Sequence, residues 1–319
     1  MIIKPKFKEH FSELTDFDKF IEYSLRPLRK SFRVNTLVAN LKETKEELEK
    51  KSWNLKQIPW CKEGFFAQGN IGLGNTTEHF LGKIYIQEAA SMIPPLALTP
   101  FKDKVLDVSA SPGSKTTQIA ATMKNKGLII ANDVDAKRCD ILNQNLQRCS
   151  VSNCTITKIN GFQIKGEFDN ILLDAPCSGT GAIRKSPLTL NIWNKNMIKK
   201  FTNTQKKLII NNFNNLKPGG RMVYSTCSVE PEENEEIISY LLNQFNNAKC
   251  KKIDLNLKSS KPILNYKNKT YHEGVKNCLR LWPQDNDTEG FFIALITNFN
   301  NKRLICWNAF FKFFIQFNF

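Results

Sequence analysis

The sequence predicts an α/β protein built on a parallel, doubly wound sheet. Short apolar runs alternate with helical patterns from Phe101 onward, as in repeated strand-helix units. The run over 170–173 stops abruptly at Asp-Ala-Pro-Cys, which is typical of a buried strand whose carboxyl end opens into a loop. A second run, from about Arg221, ends at Cys227 in the same way. In open α/β sheets, ligands and chemistry gather at such strand ends.

The length of 319 residues predicts two domains, because one hydrophobic core rarely supports a chain of this size. An apolar content of 41% and a charged content of 24% are ordinary for a folded globular protein, so neither a disordered nor a fibrous class is indicated. We predict a small module over 1–85, a main domain over 86–298 and a hydrophobic extension over 299–319. We assign no role to the extension.

The first module is predicted to be α+β. We expect a strand over 32–38, an exposed amphipathic helix over 42–51 and a second strand over 55–61. Glycines at 64 and within 69–74 predict loops.

The main domain is predicted to alternate strands with helices. In order along the chain, the expected elements are strand 104–108, helix 114–123, strand 127–133, helix 136–148 and strand 155–159. After the two strands that end in cysteine motifs we expect a helix over 234–245, a lysine-rich loop over 249–269 and a last strand over 289–296. The loop is expected to face solvent or a polyanion.

The turn over 107–116 follows the first strand of this sheet, where such folds bind a nucleotide-like ligand. It has no GxGxxG pattern, and serine replaces both glycines of the phosphate loop that precedes Lys115. An ATPase therefore stays open only as a weakly supported alternative. Asp133 ends the next strand, where an acid accepts hydrogen bonds from a ribose diol.

Cys177 and Cys227 each follow an apolar run in a setting of proline, serine, threonine and glycine. A lone cysteine usually packs as a small hydrophobe, but this setting is unsuited to a core. We therefore expect both thiols, together with Asp174, to point into one site. Nine cysteines without a CxxC pair and only three histidines predict neither a disulfide framework nor a metal site. Without a signal peptide or an apolar run of about 18 residues, we expect a soluble, cytoplasmic protein.

A net charge of +16 and a pI near 9.4 indicate a polyanionic partner. Between Ala175 and Val229 there are nine lysines and arginines and no acids, so the rim of the predicted site is basic. We predict that Arg184 and Lys185 contact this polyanion, together with the first module. The alternative is a solvated basic face in a chain that is rich in lysine and asparagine.

Several segments resemble, in order and spacing, the Sun-type RNA (cytosine-5) methyltransferases, and most closely their archaeal tRNA branch. The resemblance extends over about 32–296 and is carried by residues 33–37, 85–95, 107–116, 132–138, 173–185 and 224–235. It implies a Rossmann-like S-adenosylmethionine-dependent methyltransferase sheet behind a small RNA-recognition module. It also implies an RNA substrate, with tRNA favoured. We expect a monomer.

The resemblance also implies roles for individual residues. Cys227 is expected to be the nucleophile and Cys177 to assist product release, while Asp174 and Lys115 contact the target cytosine. The residues expected to hold the methyl donor are Ser109, Ala110, Ser111, Pro112, Gly113, Ser114, Lys115, Asp133, Arg138, Asn160 and Asp174. The chain departs from the family at Asn160, where an acid usually contacts the adenine amine. An amide carbonyl still accepts a hydrogen bond, though without the assistance of charge.

The predicted chemistry explains the need for two thiols and an acid. Carbon 5 of cytosine is a poor nucleophile, and addition of a thiolate to carbon 6 makes it enamine-like. A free thiol has a pKa of about 8.5, so Cys227 needs a cationic neighbour to react at neutral pH, and Lys115 is a candidate. Three alternatives remain: an rRNA substrate, an RNA-binding protein with a dead site, and Cys177 as the nucleophile, as in DNA-type enzymes.

Overall fold

The computed structural model describes residues 3–69 and 72–299. The helices are α1 Pro5–Ser12, α2 Phe17–Leu25, α3 Leu41–Lys50, α4 Thr77–Phe80, α5 Ile93–Leu98, α6 Ser114–Met123, α7 Ala136–Arg148, α8 Leu188–Ile192, α9 Lys195–Asn214, α10 Glu235–Gln244 and α11 Pro283–Asn286. The strands are β1 Ser31–Val34, β2 Asn54–Ile58, β3 Cys61–Gln68, β4 Ile84–Ile86, β5 Lys104–Asp107, β6 Leu128–Asn132, β7 Cys154–Thr157, β8 Phe168–Asp174, β9 Leu216–Thr226, β10 Ala248–Lys251, β11 Asn265–Tyr266, β12 Lys269–Thr270, β13 Leu279–Leu281 and β14 Phe291–Asn298.

The larger sheet has the strand order β10-β14-β9-β8-β5-β6-β7, and β13 pairs with β14. Strands β5 to β9 pair in parallel, whereas β14 runs antiparallel to β9 and β10. The chain builds outward from β5 to β7 and then returns to place β8 on the other side of β5. The α/β, doubly wound fold class is therefore confirmed, and its topological switch point lies between β5 and β8.

The central strand β8 shows why the sheet is buried on both faces. Ile171, Leu172 and Leu173 are all fully buried. Ile171 and Leu173 pack in the core beside α9 and α10, whereas Leu172 packs in the core beside α5 and α6. A strand covered by helices on both sides needs this unbroken apolar run instead of an alternating one.

The smaller sheet has the order β2-β3-β1-β4, and all its pairs are antiparallel. The strand predicted over 55–61 is instead a hairpin, and the loop predicted at Gly64 lies inside β3. A Cβ atom at Gly64 would approach the Met92 sulfur to 2.8 Å, so this glycine permits close packing and does not mark a turn. The predicted loop over 249–269 is also corrected, because it begins within β10.

Helices α1 and α2 were not predicted from the sequence. Phe7, Phe11 and Phe20 are fully buried in a cluster that includes Trp193 and Trp282 of the main domain. Residues 1–85 therefore belong to two packing units, one around the small sheet and one on the large domain. Of the predicted extension over 299–319, residues 300–319 lie outside the described residues.

A buried arginine joins the small sheet to the large domain. Arg33 on β1 is 1% exposed, and its guanidinium donates to Gln87 Oε1 at 3.1 Å and to Thr117 Oγ1 on α6 at 3.0 Å. The module is thereby fixed to the helix that follows the predicted ligand turn. Among the described helices, none is long and apolar enough to cross a membrane.

Candidate active site

A cavity of about 430 Å³ opens at the switch point of the large sheet. Residues from the turn after β5, from the ends of β8 and β9 and from the segment around β4 line it. The side chains that matter for chemistry are Lys115, Asp174, Lys185, Cys227, Glu88 and Glu289. The cavity thus brings together Lys115, Asp174 and Cys227 from distant parts of the chain, whereas Cys177 is not among the described residues that line it.

The two predicted thiols lie side by side. The sulfur atoms of Cys177 and Cys227 are 3.4 Å apart. Strands β8 and β9 are parallel neighbours with Asp174 opposite Ser225, so the loops that follow them leave the sheet together. Gly181 lets the loops approach, because a Cβ atom there would come within 2.8 Å of the Cys227 carbonyl oxygen.

Asp174 stands between two donors at the end of β8. Lys115 Nζ lies 2.6 Å from Asp174 Oδ2, and the Ser225 hydroxyl donates to Oδ1 at 2.7 Å. The Lys115 side chain is 12% exposed, so this ion pair is largely shielded from water. Both partners of this ion pair, which are predicted to contact the base, line the cavity with Cys227.

Hydrogen bonds, burial and nearby charges shift the pKa values of Cys177 and Lys115. The hydrogen bond with Cys227, burial and the charges of Cys227 and Glu233 all raise the pKa of Cys177 well above its ordinary value. Burial acts to lower the pKa of Lys115, but attraction to Asp174 outweighs it, and the net shift is upward, with a further contribution from Cys227. Cys177 is therefore held in its protonated form, and Lys115 in its cationic form, beside Cys227.

The turn after β5 is held by its own backbone and by α7. Gly113 precedes α6 with a φ of 103°, which a residue with a side chain rarely adopts. The Ser111 N–H donates to Asp133 Oδ2 at 3.3 Å, and Arg138 Nε donates to the same oxygen at 3.1 Å. Arg138 also donates to the Ser111 carbonyl at 3.0 Å. Arg138 thus ties Asp133 to the turn.

Three of the predicted ligand residues, Gly113, Asp133 and Asn160, are not among the described residues that line the cavity. Asn160 follows β7, and its side-chain oxygen accepts the Phe162 N–H at 3.3 Å. Val134 and Ile159, which follow the adjacent strands β6 and β7, are exposed by 65% and 43%. None of these three residues, Asn160, Val134 and Ile159, is among the described residues that line the cavity.

The RNA contact predicted at Arg184 is corrected. Its side chain is 1% exposed, and its guanidinium donates to Asp287 Oδ1 at 2.8 Å and to the Pro27 carbonyl at 2.6 Å. Arg184 therefore fastens α2 to the main domain and has no free face for a phosphate. Lys185, the next residue, is exposed and lines the cavity.

Two acids that line the cavity, Glu88 and Glu289, were not predicted from the sequence. The Glu289 N–H donates to Glu88 Oε1 at 3.2 Å, and the buried Glu289 Oε1 has no hydrogen-bond partner among the described residues. Burial and repulsion by Glu289 raise the pKa of Glu88 to about 8. Burial likewise raises the pKa of Glu289, against the attraction of Lys185 and Lys115. No local pattern in the sequence distinguishes either acid.

The doubly wound sheet, with a cavity at its switch point, is that of a Rossmann-like methyltransferase, and two adjacent thiols lie at the ends of its strands. The chain belongs to the RsmB/F family of RNA methyltransferases. The family described as "16S rRNA methyltransferase RsmB/F" matches residues 95–297, and "N-terminal domain of 16S rRNA methyltransferase RsmF" matches residues 3–89.

Named relatives agree with this assignment. The chain is 45% identical over 300 residues to the tRNA (cytosine(49)-C(5))-methyltransferase of Pyrococcus abyssi, covering 92% of this chain and 96% of the relative. It is 42% identical to ribosomal RNA small subunit methyltransferase F of Aliivibrio fischeri over 88% of this chain, and spans 60% of that relative.

Solved structures show the same fold. A methyltransferase homologue from Pyrococcus horikoshii superposes with a TM-score of 0.79 at 36% identity, covering 92% of this chain and 99% of that chain. NSun6 from Pyrococcus horikoshii with SFG superposes with a TM-score of 0.82 at 21% identity, covering 93% and 98%, and shows the fold alone. The predicted Sun-type resemblance and the prediction of an RNA (cytosine-5) methyltransferase are confirmed, and the ATPase alternative falls.

Proposed function

We propose that the protein transfers a methyl group from S-adenosylmethionine to carbon 5 of cytosine in tRNA, through a covalent bond between Cys227 and carbon 6. The observation that carries this proposal is the pair of sulfur atoms 3.4 Å apart, beside the ion pair of Lys115 and Asp174. One thiol attacks and the other assists, so the reaction uses both. The cytoplasmic location and the monomeric state stay predictions.

The residues at the switch point fit the methyl donor. Asp107 Oδ1 is buried without a hydrogen-bond partner among the described residues, and Asp133 is fixed at the end of the next strand. We infer that the turn over 109–115 and Asp174 hold the methionine part, Asp133 the ribose, and Val134, Ile159 and Asn160 the adenine. S-adenosylmethionine supplies an electrophilic methyl group when it is bound there.

The first chemical step belongs to Cys227. Its thiolate adds to carbon 6, forming a sulfur–carbon bond and giving carbon 5 the electron density of an enamine. Asp174, oriented by Ser225 and Lys115, passes a proton to a ring nitrogen of the cytosine, and this proton neutralises the negative charge that the addition places on the base. Lys115 keeps the approach to Cys227 cationic.

The second step belongs to Cys177. The methylated carbon 5 still carries its proton, which must leave before the bond between Cys227 and carbon 6 breaks. The hydrogen bond with Cys227 is the largest cause of the raised pKa of Cys177, and repulsion by Cys227 adds to it. Once the Cys227 sulfur is bonded to carbon 6, that hydrogen bond and that repulsion are lost, so the pKa of Cys177 falls and its thiol releases its proton to water. The resulting Cys177 thiolate accepts the carbon 5 proton. Loss of the carbon 5 proton then restores the double bond and releases Cys227.

The choice of tRNA is supported by the higher identity to the Pyrococcus abyssi tRNA enzyme and by the match along 96% of its length. An rRNA substrate is the second candidate, supported by 42% identity to the Aliivibrio fischeri enzyme, of which the chain spans only 60%. Three exposed lysines at the start of α9, Lys195, Lys199 and Lys200, suit either polyanion.

The test is cytosine-resolved mapping of 5-methylcytosine by bisulfite sequencing after incubation of the protein and S-adenosylmethionine with tRNA or with 16S rRNA. We expect new 5-methylcytosine in tRNA and none with Cys227→Ala. If only 16S rRNA is methylated, rRNA replaces tRNA as the proposed substrate. A protein that binds RNA but shows no calorimetric binding of S-adenosylmethionine at millimolar concentration would instead be a binding protein.

A further inference from the structure

A buried carboxyl group lies between the two cysteine loops. Glu233 is fully buried just before α10, and its side chain accepts hydrogen bonds from the residue that follows each cysteine. The Ser178 N–H donates to Glu233 Oε1 at 2.9 Å. The Ser178 and Ser228 hydroxyls both donate to Oε2, each at 2.5 Å. One carboxylate thus joins the loop of Cys177 to the loop of Cys227.

The neighbours of Glu233 hold other parts of the structure. Asn234 accepts from the Thr226 hydroxyl at 2.6 Å and donates to the Ser228 carbonyl at 2.9 Å, so it orders the Cys227 loop by itself. Glu235 pairs with the buried Arg280. Of these three consecutive buried residues, Glu233 has the side chain that contacts both cysteine loops.

We propose that Glu233 is a positioning residue that fixes the separation between the Cys177 and Cys227 sulfur atoms. This inference rests on the proposed function, because the separation matters only if the two thiols act in sequence on one base. The three hydrogen bonds reach the residues adjacent to the cysteines, so a small shift of either loop changes the sulfur positions directly.

The charge of Glu233 also affects the thiols, in addition to its hydrogen bonds. It contributes to raising the pKa of Cys177, after the hydrogen bond with Cys227 and burial. Burial raises the pKa of Glu233 itself to about 7, although the hydrogen bonds from Ser178 and Ser228 act to lower it. The same residue therefore contacts both cysteine loops and disfavours a Cys177 thiolate.

The separation of the thiols can be measured without RNA or methyl donor. The oxidant diamide accepts two hydrogens as two thiols form a disulfide, and mass spectrometry of peptides reports the bond between Cys177 and Cys227. Its rate of formation depends on how often the two sulfur atoms meet. Methylation is measured on the same preparations, as kcat and as KM for RNA.

Three variants make the test specific. We expect Glu233→Ala to slow disulfide formation and to lower kcat at least ten-fold each, with KM for RNA within two-fold. Glu233→Gln keeps an acceptor for the Ser178 N–H and a polar group at Oε2, so we expect both rates within about three-fold of wild type. Glu232→Ala is the matched control, because Glu232 is partly exposed and pairs with Lys267. It should leave both rates unchanged.

Either of two results would overturn the inference: wild-type disulfide formation in Glu233→Ala, or slowed disulfide formation with unchanged kcat. If Glu233→Ala does not fold by circular dichroism, Ser178→Ala serves instead, since it removes one donor to Glu233 Oε2. Its rates are then expected to fall at least three-fold, and wild-type rates would equally overturn the inference. A wild-type protein that forms the disulfide but does not methylate RNA would refute the proposed function separately.

Discussion

Cys177 and Cys227 are 50 positions apart in the chain, yet their sulfur atoms are 3.4 Å from each other. The parallel pairing of β8 with β9 brings the two loops together, and Cys227 faces the cavity that also contains Lys115 and Asp174. These surroundings support the proposed roles of Cys227 as the nucleophile and Cys177 as the residue that assists product release. Neighbouring residues that differ in their contacts are therefore expected to differ in their effects when they are substituted.

Lys115 is expected to be essential for the attack of Cys227. Lys115→Met removes the cationic neighbour of the thiol and leaves Asp174 without its partner at 2.6 Å. We expect kcat to fall by about 100-fold or more. Lys185→Met is the matched control, since Lys185 lines the same cavity but is exposed. Equal losses of kcat in the two variants would contradict a specific role for Lys115.

Arg184 and Lys185 are expected to differ although they are adjacent. Lys185→Ala should weaken RNA binding and reduce the slope of log affinity against log salt by about 0.7–0.9, because one fewer counterion is released. Arg184→Ala should leave that slope unchanged and lower the free energy of unfolding by about 2–3 kcal/mol, because Asp287 and backbone carbonyls lose their donor. Filter binding at several salt concentrations and urea unfolding distinguish the two. A flatter salt slope with Arg184→Ala would restore its RNA role.

The buried Asp107 predicts a dependence of stability on pH. Burial raises its pKa from 3.8 to about 7, against the hydrogen bond from Thr116 and the charge of Lys115. The native state therefore keeps this proton up to about pH 7, whereas the unfolded chain releases it near pH 4. Its contribution to the free energy of unfolding falls between these values as pH rises, by up to about 1.4 kcal/mol per pH unit.

The measurement is urea unfolding at several values from pH 5 to pH 7, for wild type and for Asp107→Asn. Other buried acids, such as Glu88, titrate in both proteins and cancel in the difference. We expect the variant to lose stability less steeply with rising pH. Parallel curves would show that Asp107 is ionised in the native state throughout this range.

Local patterns in the sequence predicted the elements that frame the site. Helices α6 and α7 begin and end at the predicted residues, because apolar periodicity and the flanking residues mark them. The ends of β8 and β9 were predicted because apolar runs stop at proline, glycine and cysteine. Parallel strands then bring such ends together, so the meeting of Asp174, Cys177 and Cys227 followed from topology alone.

Other features depend on contacts between distant segments, which no local pattern reveals. The sequence shows that Arg184 is basic but not that Asp287 and Pro27 enclose it. Glu233 is one of several acids in an acidic run, and only the fold distinguishes it as the partner of both cysteine loops. Glu289 is likewise an ordinary acid until the fold buries it in the cavity.

The most direct test of the central claim is the fate of the RNA in single-cysteine variants. Cys227→Ala and Cys177→Ala are each incubated with labelled tRNA and S-adenosylmethionine and resolved on a denaturing gel. We expect no methylation and no covalent adduct with Cys227→Ala. With Cys177→Ala we expect a slow-migrating protein–RNA band, because the base is methylated but Cys227 is not released. A slow band with Cys227→Ala and none with Cys177→Ala would contradict the assignment of Cys227 as the nucleophile.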